Sequence, residues 1–146
     1  MGGLLAARVL ADFYERVTVV ERDELRADAV HRRGVPQGRH FHTVLLRGAR
    51  VLDDLFPGFT EDVIAAGAPR VDLLRQARVI VNGCQLARTS TGADAVQLTR
   101  PLLESTVRDR VAGIGAIKIL DGCDVVGLHT AFRSEERRVG KECRSR

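Results

Sequence analysis

Tryptophan is absent from this 146-residue chain, tyrosine occurs once and phenylalanine five times. No apolar run approaches the roughly 20 residues that cross a bilayer as a helix, so no helical membrane span is expected. Cysteine is nearly as scarce, with three in all. That is too few for a disulfide scaffold, and neither Cys84 nor Cys123 has a second cysteine at C-x-x-C or metal-ligand spacing, so both read as small, partly buried thiols. A positively charged start followed by an apolar stretch and a small-residue cleavage site is also missing, so a reducing, cytoplasmic setting is expected. What is present, 45% apolar and 29% charged residues, suits one soluble α/β domain.

The net charge of +4 invites a nucleic-acid partner, but its source is local. Arg133–Arg146 carries six basic and three acidic side chains, hence +3, and leaves +1 for the rest. With almost no apolar content and no periodicity, that tail cannot offset its ordering entropy and is expected to be disordered. It also resembles, residue for residue, the translation of a common DNA-sequencing adapter, so authentic coding is expected to end near Phe132. The expected organisation is one domain over 1–132 and an artefactual tail over 133–146, with no nucleic-acid partner. The opposing reading, a non-catalytic protein whose basic tail makes phosphate contacts, requires that tail to be encoded.

The most informative segment lies at the other end. Gly2-Gly3 opens an apolar stretch in which Leu5, Val9 and Phe13 fall four apart, predicting a helix that lies on a sheet. Val17-Thr18-Val19-Val20-Glu21 then reads as a strand ending on an acid. In a strand-turn-helix phosphate site of the G-x-G-x-x-G kind, the third glycine allows close helix–strand packing, the helix N-terminus holds the pyrophosphate, and an acid about 20 residues on grips a ribose hydroxyl. Gly3 suits the third glycine and Glu21 the acid. The first strand would then precede Met1, so the reading is a dinucleotide-binding unit with its first strand missing. A generic helix–strand pair ending in a solvated Glu-Arg-Asp turn is the plainer account.

Further along, a charged connector over 22–38 precedes an expected helix from Phe41 to Phe56, with Val44, Leu45, Val51, Leu52 and Leu55 mostly on one side and Pro57-Gly58 as its stop. Thr60 is expected to cap a short helix with Glu61 and Asp62 in its first turn, ended by Gly67 and Pro69. Ala77–Val81 and Cys84–Arg88 flank Asn82-Gly83, the dipeptide of a type I′ hairpin. Val96–Leu98 reads as a strand, and Pro101 opens a helix carrying Leu103, Val107 and Val111. Two more strands, 116–120 and 124–128, meet at Asp121-Gly122. There is no internal repeat.

Four strings carry a family likeness: Gly3–Leu10, Val17–Asp23, Arg33-Gly34-Val35-Pro36-Gln37-Gly38-Arg39-His40-Phe41-His42, and Arg100-Pro101-Leu102-Leu103-Glu104. In combination they resemble the flavin-dependent monooxygenases of the aromatic-hydroxylase type, including the 2-polyprenyl-6-methoxyphenol hydroxylase-like oxidoreductases, over nearly everything before the tail. The resemblance implies an α/β fold: a partial Rossmann-like FAD-binding domain with an antiparallel hairpin insertion at about 76–98 from the sheet that roofs the substrate cavity. It implies that Glu21 binds the ribose of the FAD adenosine with Arg22 beside it, and that Gly2 and Gly3 open the pyrophosphate-facing helix. Arg39, or Arg33 in its place, and Arg100 would be cationic contacts to FAD phosphate or ribose, which suits the planar guanidinium fork. His40 would be a polar wall near the cofactor.

FAD as cofactor, NAD(P)H as reductant and dioxygen-dependent oxidation of a small organic substrate follow from the same likeness, with the chain itself expected to be inactive. Halogenases and geranylgeranyl reductases share the opening pattern, so the reaction subtype stays open. An NAD(P)-binding dehydrogenase module remains an alternative; it should follow Glu21 with a plain second βαβ unit rather than a hairpin. No catalytic side chain stands out. Ser105 and Thr106 have no nucleophile-elbow setting, and His40 and His42, with His31 nearby, lack a convincing third metal ligand because the expected helix from Phe41 would splay them.

Overall fold

The computed structural model describes residues 1–25, 35–90, 92, 94–127, 129–130, 139–140 and 143–145. Helix α1 (Gly2–Leu10) leads into β1 (Val17–Val20). After a 3-10 turn at Pro36–Arg39 come β2 (Phe41–Val44), α2 (Leu46–Leu55) and α3 (Phe59–Ala65). Then β3 (Arg70–Asp72), α4 (Leu73–Gln76) and the hairpin β4 (Ile80–Val81) and β5 (Cys84–Gln85) lead to β6 (Asp94–Thr99) and α5 (Arg100–Ala112). The chain continues through β7 (Ile117–Leu120), β8 (Cys123–Val125), β9 (His129–Thr130), β10 (Val139–Gly140) and β11 (Cys143–Ser145). The architecture is mixed α/β.

Two sheets position the site. β1 and β7 pair in parallel, Val17 opposite Ile117 and Val20 opposite Leu120. Among the described residues β1 pairs with β7 alone. The second sheet is antiparallel, with β6 between β2 and β3. Helices α1 and α5 pack together beside the parallel pair, and α2 and α3 pack on β6. One core joins these layers: Leu4 and Ala7 from α1, Val17, Leu52, Phe56, Phe59 and Val63, Val96 and Leu98, Leu103, Val107 and Val111, and Ile117. Phe56 and Phe59 meet tilted, ring centroids 6.3 Å apart, a favourable aromatic geometry.

Helix α5 forms as its sequence directs. The Thr99 side chain accepts from the Leu102 amide, Pro101 occupies the first turn, and Leu103, Val107 and Val111 are buried on one stripe. α2 ends at its C-cap Phe56, and Gly58, at φ +79°, is the N-cap of α3, a conformation that glycine takes without a Cβ penalty. Asn82 and Gly83 both have positive φ at the hairpin tip, as a type I′ turn requires.

Several expectations are corrected. The segment Phe41–Val44 is a strand, not the start of a helix: its backbone completes a ladder with β6, and tertiary pairing outweighs a mixed local pattern. α1 buries Leu4 and Ala7, while Val9 and Phe13 of the expected face are exposed. Thr60 does not cap α3; Gly58 holds that position, and the Thr60 amide and hydroxyl both donate to Asp53.

The hairpin strands shrink to two residues each and do not join the β6 sheet. Their side chains Ile80 and Val81 are exposed and bury nothing that would lengthen the pairing. β3 and α4 have no counterpart in the sequence reading. The tail, expected to be disordered, contributes β10 paired with β9 and β11 paired with β8, because backbone pairing onto an open strand edge needs no apolar side chains. Cys84 is exposed, at a hairpin tip, and Cys123 is disulfide-bonded rather than a thiol. His31 and Arg33, and most of the connector after β1, lie outside the described residues.

Candidate functional site

Parallel pairing of β1 with β7 puts the C-terminal ends of both strands on one edge. Each strand follows a helix that runs back against it. Nine residues of helix and four of strand both span about 13 Å, so the N-terminus of α1 comes level with the end of β1. Gly2 and Gly3 therefore lie toward the edge at which Glu21 follows β1, and the thirteen-residue α5, about 20 Å long against about 13 Å for β7, starts at Arg100 beyond the end of β7 on that side.

Glu21 sits on a braced turn. Its amide donates to the Leu120 carbonyl (2.8 Å), its carbonyl accepts from Cys123 (3.0 Å), and its Oε1 accepts from the Asp23 amide (3.1 Å). The neighbouring chain is pinned as well, since Leu25 donates to the Asp121 carboxylate (2.8 Å) and Gly122 to the Asp23 carbonyl (3.2 Å). Arg22 is exposed on this turn. Gly2 and Gly3 are exposed, and a Cβ at either would meet no atom within 4 Å. The close helix–strand packing expected at Gly3 therefore has no partner among the described residues.

The other predicted residues are gathered by the β2–β6 ladder. Phe41 lies opposite Thr99, the last pair of the ladder, so His40 and Arg100 each follow directly on that end. Arg39 and His40 are both exposed. They line an open cleft of about 590 Å³, together with Pro69, Gln97, Thr99 and Leu102, a size within the usual range of ligand pockets. His42 Nδ1 bonds the His40 carbonyl (2.8 Å), and the extended backbone replaces the helix that was expected to splay the two histidines.

Arg100 is the least satisfied member. Its side chain is only 20% exposed, its Nε lies 3.7 Å from Glu104 Oε2, and that buried Nε has no hydrogen-bond partner. A buried donor left without an acceptor is costly. Helix α5 adds little direct donation here, because Pro101 has no N–H and the Leu102 amide is already taken by Thr99. The chemistry of the end of α5 is therefore that of guanidinium: a planar donor fork suited to phosphate or carboxylate oxygens. Sequence reasoning assigned no role to Glu104, Gln97 or Thr99. Glu104 was legible only as an i,i+4 neighbour of Arg100, and the cleft walls required the sheet.

No protein-family model matches the chain. Its fold is similar to that of a quadruple mutant of PqsL from P. aeruginosa, known from its crystal structure, with a TM-score of 0.64 at 17% identity over 94% of this chain and 34% of that one. In sequence it is similar to Protein Rv3254 of Mycobacterium tuberculosis, 41% identical over 127 residues covering 82% of this chain and 26% of that protein. The chain thus spans about a quarter of the length of this relative.

Proposed function

We propose that the chain is the nucleotide-holding part of an FAD-dependent oxidoreductase of the monooxygenase type, Rossmann-like in its β1–β7 layer. The arrangement that carries this reading is topological: α1 leads into β1 and α5 into β7, the two strands run parallel, and Glu21 follows directly on β1, while the β2–β6 ladder ends at Phe41–Thr99 between Arg39-His40 and the start of α5. The residues fit an anionic dinucleotide. The orphaned Arg100 Nε lacks an acceptor that a phosphate oxygen would supply, exposed Arg39 adds positive charge, and the open space over Gly2 and Gly3 leaves the helix N-terminus accessible to a pyrophosphate. Glu21, held by its turn, is the acceptor for ribose hydroxyls.

The antiparallel β2–β6–β3 sheet stands between β1 and α5, where a plain NAD(P) module would continue with a second βαβ unit, and this favours flavin. Bound FAD would supply the redox chemistry, with NAD(P)H as electron source and a small organic molecule as substrate. The chain's own residues bind and orient; none is placed as an acid, base or nucleophile.

Titration of the ¹⁵N-labelled chain with ADP, followed by NMR, tests the reading. Dose-dependent shifts should concentrate at Gly2–Leu4, Glu21–Asp23, Arg39–His40 and Thr99–Arg100. Shifts confined to other surfaces, or none at millimolar ADP, refute it.

A further inference from the structure

Arg100 is placed where a helix least favours it. It is the first residue of the thirteen-residue α5, so its cation faces the positive end of the helix dipole, and its carboxylate neighbour Glu104 follows it one turn inward. This order is the reverse of the stabilising Glu-then-cation pair. Glu104 is nevertheless buried, at 6% exposure, beside a guanidinium that is itself mostly covered. Burying a charge pair with a separation of 3.7 Å and an unsatisfied Nε contributes poorly to stability, so helix energetics alone does not account for it.

We infer that Glu104 is a positioning residue for Arg100, and the inference rests on the reading of Arg100 as a phosphate contact. The buried carboxylate offsets the cation's unfavourable place at the helix end and anchors the guanidinium against α5. The guanidinium is thereby restrained beside the start of α5 instead of dispersing into solvent. The logic is that of outer partners that orient a ligand-binding group, whose loss typically costs about 10–100-fold in affinity. Such anchoring also limits the rotamer entropy that Arg100 loses when an anion arrives.

The test uses the ¹⁵N-labelled chain, with the Arg100 Nε–H signal identified by its loss in Arg100→Lys. Glu104→Gln, close to isosteric, should move that signal toward the position of free arginine and raise its water exchange at least about tenfold, while the signals of Val107 and Val111 stay in place. With ADP as the probe, Glu104→Gln should raise Kd about tenfold in the Arg100 background and leave it unchanged in the Arg100→Lys background. Glu104→Asp, which keeps the charge on a shorter stem, should fall between and serves if Glu104→Gln does not fold. An unaltered Arg100 signal, or an equal ADP penalty in both backgrounds, overturns the inference. If the unmutated protein shows no response to ADP but the Arg100 signal responds to Glu104→Gln, positioning stands and the nucleotide reading alone fails.

Discussion

Phe41 and Thr99 face each other at the end of the β2–β6 ladder, and this one register pair brings together two segments that are almost sixty residues apart in sequence. Thr99 does double duty, closing the ladder and capping α5 through its bond from the Leu102 amide (3.3 Å). Thr99→Ala should therefore cost about 1 kcal/mol in urea unfolding, and Thr99→Ser, which keeps the cap, much less. Equal losses for the two would show that the cap is not what matters.

Asp53 joins α2 to α3 by accepting from both the Thr60 amide (2.8 Å) and hydroxyl (2.6 Å). Thr60→Val removes one of these bonds and should destabilise by roughly 1 kcal/mol, whereas Asp53→Ala strands both donors and should cost roughly 2–3 kcal/mol. Denaturant midpoints at unchanged slope check the order; a Thr60→Val loss equal to that of Asp53→Ala would contradict it.

Val107 has 0% exposure and belongs to the core that α5 shares with α1 and the parallel strands. Truncation to alanine should leave a cavity in a junction that cannot collapse easily, costing roughly 1–3 kcal/mol. Val126 is 64% exposed, so Val126→Ala is the control, with a change expected within about 0.5 kcal/mol.

The Ser90 hydroxyl, donating to Asp72 at 2.6 Å, is the main cause that holds the Asp72 carboxyl below its ordinary value, helped by the Arg75 and Leu74 amides and the Arg75 charge against some desolvation. A carboxyl depressed in the folded state stabilises above its unfolded pKa of about 3.9 and loses that contribution as pH falls through the folded value. Ser90→Ala should move the Asp72 titration upward, toward the ordinary carboxylate range, in a carbon-detected NMR titration. A midpoint that stays put would show that the hydroxyl is not the cause.

Where a local signal and its packing partner lay close in sequence, the elements were legible. The spacing of Leu103, Val107 and Val111 after Thr99-Pro101 specified α5, and Asn82-Gly83 specified its turn. Glu21 was likewise readable as the acid at a strand end. Phe41–Val44 was not, because its strand character comes from β6, which lies more than fifty residues away. The exposed Val9 and Phe13 misled the reading of α1 for a related reason: periodicity reports that a face is apolar, not which neighbour reaches it.

By itself the sequence determined the kinds of groups available: a glycine-opened helix, an acid after a valine-rich strand, and arginines at two turn-and-cap positions. Those follow from composition and short-range spacing. Only the tertiary structure decided that Arg39 and His40 line one cleft with Thr99 and Leu102, that Glu104 is buried beside Arg100, and that the hairpin stands apart from the β6 sheet. Each of these depends on strand register and helix packing, and such long-range pairings are selected by the burial of a shared core rather than by any preference written into a single segment.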